Sequence, residues 1–288
     1  MFGAYFGLAA SYILGMPKKS TEHEVNHVSD VFSLIGTLFL WIYWPSFNGG
    51  ELEPGSDQQQ RAVVHTILSL CAATVGTFVT SSYLNSTGKF RPVDIQNATL
   101  AGGVAIGATC NFTMTPSDPL IVGLVAGCLS AYGFARIQPL LESYGLHDTC
   151  GINNLHGMPS LLGGAVSVFL CAFKGPRGHD MPTVFHHTGQ AGIQLAAIIV
   201  TLLIAVSTGV FTGLIMRKYG SSSDTEDFSD FPYWEVEEWK AEEGHDAAQA
   251  PALSGTEDLE QGAQAGSSVG YDKLARDSEE GEVEHVKL

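Results

Sequence analysis

The chain has 288 residues, long enough for two ordinary soluble domains, yet only 15% of them are charged and 33 are glycine. Soluble domains carry roughly 25% charged residues, so a pair of such domains is excluded. The formal net charge of −16 is confined to one end: Ser221 to Leu288 hold 19 acidic and 4 basic residues, while residues 1–220 hold 11 and 10. The acidity describes a solvated extension, and no nucleic-acid partner is expected. Five cysteines lie in apolar surroundings without a CxxC pair, as small buried hydrophobes do, so neither a disulfide framework nor a metal or cofactor site is expected.

Met1 leads straight into an apolar run ending at Leu14, with no basic n-region or small-residue cleavage site, so a signal peptide is not expected. Further apolar stretches follow at Val28–Gly49, Ala62–Leu84, Ile95–Phe112, Leu120–Leu141, Asn153–Phe173 and Ile193–Met216. A helix crosses a bilayer in about 20 apolar residues. The fold class is therefore an all-α polytopic membrane protein with about seven transmembrane helices. Polar connectors between them are too short for an inserted domain. Lys18, Lys19, Lys89, Arg91, Arg136, Arg217 and Lys218 fall on one side, and Arg61, Lys174 and Arg177 on the other. This bias puts the C-terminus in the cytosol. Two regions result: a membrane domain over 1–220 and a disordered acidic cytosolic tail over 221–288, too polar to offset its ordering entropy. Within the tail, Phe228 to Trp234 is aromatic and is expected to dock on the cytosolic face or to bind a partner.

Glycine pairs at four-residue spacing, Gly3/Gly7, Gly103/Gly107, Gly123/Gly127 and Gly209/Gly213, predict closely packed helices. Asn85, Asn97 and Asn111 each begin a glycosylation triplet, which raises the prospect of a glycoprotein. The orientation puts Asn85 in the cytosol and Asn97 in a helix, leaving Asn111 at the luminal edge of the membrane.

Polar residues inside spans are costly and point to function by default. The densest group runs from Leu146 to Pro159, where Asp148 precedes His156 by eight residues with Asn153 and Asn154 between them. A charged imidazolium is expensive at that depth, whereas the neutral ring keeps one donor and one acceptor nitrogen. Such a ring can hydrogen-bond a small polar solute or relay a proton. A histidine satisfied by a backbone carbonyl at a helix-packing site leaves the same trace in sequence. The second group runs from Trp41 to Gly50. Pro45 removes a backbone donor and Gly49 and Gly50 follow, which predicts local helix irregularity beside a cavity. Phe47 is then placed to plug that cavity, although an aromatic in a span serves equally as core or lipid-facing surface. Trp41, Tyr43 and Trp44 fit interface anchors as well as any pore role.

The segments WPSFN (Trp44–Asn48) and HDTCGINNLHG (His147–Gly157), with IQNATLAGG (Ile95–Gly103) between them, resemble the ammonium transporter / Rh glycoprotein family in its Rh type B and type C branch. The resemblance extends to about residue 235. It implies a homotrimer in the plasma membrane, each subunit holding one narrow hydrophobic pore lined by two histidines and gated by two phenylalanines. The implied solutes are NH3 or NH4+, with methylammonium as analogue and CO2 as a second gas; a cytosolic anchoring protein is the implied partner of the tail. Carried over residue by residue, His156 matches the pore histidine of the family's second half and Phe47 the gate phenylalanine of that half. Asp148 matches the aspartate of the recruitment site or the fold, and Asn154 is expected beside His156 along the pore. Family members have eleven or twelve spans arranged as inverted repeats. This chain resembles the second half plus the final helix, so it is expected to be a fragment or isoform that does not conduct alone.

Other classes fit less well. A seven-helix receptor needs an external segment before its first helix and a basic-aromatic switch near the third, and neither is present. An intramembrane hydrolase needs a Ser/His pair, two facing aspartates or HExxH; only Asp148 lies near a pore-like histidine, so enzymatic activity is not expected. A non-conducting regulatory subunit that joins full-length assemblies remains the alternative.

Overall fold

The computed structural model describes residues 1–17, 27–112, 114–174, 189–220 and Phe228. These lie in the unit Met1–Trp234; all of Glu235–Leu288 and most of the expected tail fall outside the described residues. Among the described residues every regular element is helical: α1 (Phe2–Leu14), α2 (His27–Gly49), α3 (Asp57–Leu84), α4 (Pro92–Asn97), α5 (Ala101–Ile106), α6 (Ser117–Tyr132), α7 (Gln138–Ser143), α8 (Met158–Phe169) and α9 (Gln190–Tyr219). A 3-10 turn, Ala98–Leu100, joins α4 to α5. Wide π-turns at Gly133–Ile137, Asn153–Gly157 and Leu170–Lys174 lie between α6 and α7, before α8 and after it.

Among the described residues, five segments are long and apolar enough to cross a membrane: Val28–Gly49, Asp57–Leu84, Ser117–Ser143, Asn153–Phe173 and Gln190–Tyr219. Phe2–Leu14 is shorter. The largest departure from expectation is the fourth segment. In place of one helix over Ile95–Phe112, the chain forms α4, the 3-10 turn and α5, then leaves the helix at Ile106. Side chains compete there for the backbone. Ser69 Oγ donates to the Gly102 carbonyl at 2.8 Å and Asn48 Nδ2 to the Gly103 carbonyl at 3.0 Å. The Gly107 amide turns instead to Val104 O at 3.2 Å, which tightens and ends the helix. Helix α3 begins five residues before its apolar run because Ser56 caps it, accepting from the Gln59 amide at 3.2 Å.

Two helix pairs bring backbones into contact. A Cβ on Gly123 would collide with the main chain of Ser69, and one on Gly127 with that of Ala73, so α3 and α6 run parallel in four-residue register. The residues around this seam, Ala62, Ala73, Ala101, Ala105 and Ala126, are fully buried and small. Helices α1 and α9 repeat the device at Gly209 and Gly213, which meet Phe6 and Ala10. Without a hydrophobic drive inside a bilayer, small residues at the seam supply the contact area. The Gly3/Gly7 pair does not follow this pattern, because nothing lies within 4 Å of either Cβ position. Large apolar side chains point outward instead, among them Phe32, Leu38, Phe39 and Ile42 of α2 and Leu203 and Phe211 of α9. That distribution suits hydrocarbon rather than water.

Gly127→Leu is expected to force α3 and α6 apart, and overpacking of this kind costs about 1–3 kcal/mol. Thermal unfolding in detergent should show a clear fall in Tm for Gly127→Leu and none for Gly3→Leu.

Candidate functional site

The site begins with a helix start. Asp148 is 2% exposed, and its Oδ1 accepts from the Ile152 amide at 2.8 Å while Oδ2 accepts from Asn153 at 2.9 Å. One carboxylate thus satisfies two amides that the first helical turn leaves unpaired, and its charge opposes the positive end of the helix. Gly151, with φ +70°, makes the bend between them and leaves room for the Phe134 ring, which a Cβ would strike. The π-turn Asn153–Gly157 follows and carries His156.

Asn154 is wholly buried beside the bare Cα of Gly133, and its Nδ2 donates to Gln138 Oε1 at 3.0 Å. Gln138 Nε2 in turn donates to the Asp148 carbonyl at 3.3 Å. A buried amide must find partners, and Asn154 finds them against α7 rather than along an open passage. Asp148, Gln138 and Asn154 therefore fasten the turn that presents His156.

Helix α2 contributes the facing aromatics. It passes through Pro45 and ends at Gly49, so the irregularity expected at Pro45 is absent; the helix absorbs the proline near its end, where Ser46 Oγ donates to the Tyr43 carbonyl at 2.6 Å. Gly49 closes the helix and Gly50 lies in the turn beyond it, its Cβ position blocked by the Ser46 carbonyl at 2.6 Å. Trp44 is buried, not an interface anchor: its ring occupies the space that a Cβ on Gly103 would need, 2.5 Å from Cδ1 and 2.6 Å from Nε1. The Trp44 ring lies 5.8 Å from Phe47, edge to face, and 6.1 Å from His156 at an interplanar angle of 24°. Phe47 is 57% exposed and His156 half-buried. Trp44 thus brings Phe47 and His156, 109 positions apart in the chain, into one aromatic row.

A second histidine clarifies the first. His65 on α3 is 6% exposed, and its Nδ1 donates to the Cys110 carbonyl at 2.7 Å. A carbonyl only accepts, so that nitrogen bears the proton and the ring is fixed in a packing site. His156 differs: among the described residues none hydrogen-bonds its ring nitrogens. Sequence reading took Trp44 for an interface anchor as readily as for a pore residue, and passed over His65. A histidine inside an otherwise apolar span was the signal for His65, whereas nothing in sequence ties Trp44 to Gly103. At the cytosolic end expected from the charge bias, the Phe228 ring packs edge-on against His147 at 5.0 Å; the remainder of the aromatic run to Trp234 lies outside the described residues. Of the glycosylation triplets, Asn97 donates to Val93 O within α4 and Asn111 to Gln58 Oε1, while Thr113 lies outside the described residues.

This helical bundle, with its capped π-turn histidine facing a tryptophan, has counterparts. Residues 1–228 match the Ammonium Transporter Family. The chain belongs to that family. It is 42% identical over 256 residues to the ammonium transporter Rh type C of Rattus norvegicus, covering 82% of this chain and 51% of the relative. It is also 42% identical over 253 residues to the ammonium transporter Rh type B of Danio rerio, covering 82% and 55%. The chain thus spans about half the length of the curated relatives it matches. The solved Rh50 protein of Nitrosomonas europaea superposes with a TM-score of 0.65 at 37% identity, over 77% of this chain and 54% of that one. The fold is that of the ammonium and Rh transporters, in a membrane protein of a transporter family.

Asp148→Ala removes both amide partners, and loss of a helix cap costs about 0.5–2 kcal/mol. The expected result is a lower Tm in detergent with faster hydrogen exchange at Ile152 and Asn153, and a smaller loss for Asp148→Asn, which keeps one acceptor oxygen.

Proposed function

We propose that this chain supplies one wall of a pathway for ammonia across the plasma membrane, with His156 as its hydrogen-bonding station and Phe47 as its gate. The supporting observation is the His156 ring, held on a capped π-turn beside Trp44 with both nitrogens unengaged by described residues. The relatives named for ammonium transport support the choice of solute.

The physics of the solute favours the neutral species. An isolated ammonium ion stripped of water in an apolar passage faces a cost on the order of tens of kcal/mol, which ammonia avoids. The proton is left near the entrance or travels separately. Within the passage ammonia donates to one nitrogen of a neutral His156 or accepts from the other, replacing a bond lost to water. Phe47, edge-on to Trp44, narrows the mouth so that water does not enter in file. Asp148 and Asn154 act at one remove, by holding the turn. The excess of basic residues on one side supports a cytosolic C-terminus, and the family resemblance supports a homotrimer.

The alternative reading is a subunit that does not conduct but enters assemblies with longer relatives and alters their abundance. Vesicles holding the chain alone, and with a longer Rh relative, separate the two when ammonia entry is followed by stopped-flow pH change. Flux that falls only with the longer relative's abundance supports the regulatory reading.

In a full-length context, His156→Ala is expected to cut ammonia or methylammonium flux by about 2–10-fold, the worth of one hydrogen bond. Unchanged flux at equal protein density would refute the assignment. Phe47→Ala should raise osmotic water permeability of the same vesicles; if neither water entry nor selectivity moves, Phe47 is packing.

A further inference from the structure

Asn48 follows Phe47 directly and sits in the last turn of α2, half-buried. Its amide nitrogen donates twice, to Thr66 Oγ1 of α3 at 3.0 Å and to the Gly103 carbonyl of α5 at 3.0 Å. Neither partner permits a flipped amide. A carbonyl only accepts, and the Thr66 hydroxyl already donates to Ala62 O at 2.6 Å, so it presents a lone pair to Asn48. Thr66 is wholly buried, so an acceptor deserted there has no water to turn to.

Gly103 is thereby engaged twice by one turn of α2: its carbonyl receives Asn48 while its bare Cα receives the Trp44 ring. Residues four apart on a helix share a face, so these contacts fix both the rotation of α2 and its height against α5. Phe47 lies between them in sequence, at 57% exposure and edge-on to Trp44. Most of α2 is exposed. Nearer its start Gln96 Nε2 donates to Asp30 Oδ1 at 2.8 Å and Thr37 Oγ1 to the Gln96 carbonyl at 2.8 Å, and Trp41 Nε1 donates to Thr74 Oγ1 at 3.3 Å, so Trp44 and Asn48 hold the last turns.

We infer that Asn48 is a positioning residue whose two amide donors set the rotation of the α2 end and thereby the placement of Phe47 and Trp44 against His156. It touches no solute. The functional consequence rests on the ammonia reading above, but the positional claim does not require conduction. Asn48→Asp keeps the shape and removes both donors, and places a carboxylate against a carbonyl. Thr66→Val removes one acceptor and preserves the fold if Asn48→Asp does not.

The direct test is the rate at which Phe47→Cys, in vesicles of the full chain, reacts with a small water-soluble methanethiosulfonate, corrected for labelling of the chain without that substitution. With Asn48→Asp or Thr66→Val added, the rate should change roughly tenfold, as loss of one or two hydrogen bonds allows. Water permeability should rise as for Phe47→Ala, with the double substitution Phe47→Ala/Asn48→Asp no leakier than either alone. A lowered Tm with unchanged labelling and unchanged water entry would overturn the proposal and leave Asn48 as packing. If His156→Ala leaves flux intact while labelling still changes, the ammonia reading falls and the positioning role stands.

Discussion

Inside hydrocarbon no water reaches the backbone, so every carbonyl and amide that leaves a helical ladder must be answered from within the protein. That constraint governs this structure more than hydrophobic burial does. The end of α5 at Ile106 exists because Ser69 and Asn48 take over the carbonyls of Gly102 and Gly103, and at the break between α4 and α5 the side chains of Asn97 and Thr99 take the carbonyls of Val93 and Ile95. The irregular approach to His156 exists because Asp148 answers two amides with one carboxylate. Both departures from regular helix lie where the chemistry is placed, and each is secured by a side chain reaching in from a neighbouring element or turn.

The same constraint limits what a static wall can do. On the proposed reading, the aromatic row of Phe47, Trp44 and His156 would give ammonia a mostly apolar surface with the His156 ring as its polar stop. Ammonia tolerates such a surface at the cost of a hydrogen bond or two, while a hydrated cation does not. Selectivity of this kind would need no charged filter.

Much of this was legible in the sequence. Apolar run length located most helices to within a few residues, because crossing a membrane leaves few options; Gly123/Gly127 and Gly209/Gly213 announced their seams for the same reason. The motif around Asp148 and His156 was readable because a carboxylate and an imidazole are conspicuous among leucines and glycines. What failed depended on partners distant in the chain. Spacing says nothing of whether Asn154 meets Gln138 or an open passage, nor that Trp44 needs the missing Cβ of Gly103. Gly3/Gly7 reads like the other pairs, yet no described helix comes to it. Pro45 disappoints the usual expectation: α2 continues through it to Gly49, and the sequence does not distinguish a proline that breaks a helix from one that the helix accommodates.

The wide turn at Asn153–Gly157 makes His156 sensitive to chain length as well as to composition. An α-helix advances about 100° per residue, so dropping one residue from this turn would convert it to ordinary helix at little local cost and swing the Asp148 side of the segment around relative to α8. The span would persist and its hydropathy would hardly alter, while the imidazole faced a different neighbour. Single-residue insertions and deletions here should therefore be the silent lesions of this fold: invisible to a topology prediction and decisive for what the histidine can reach.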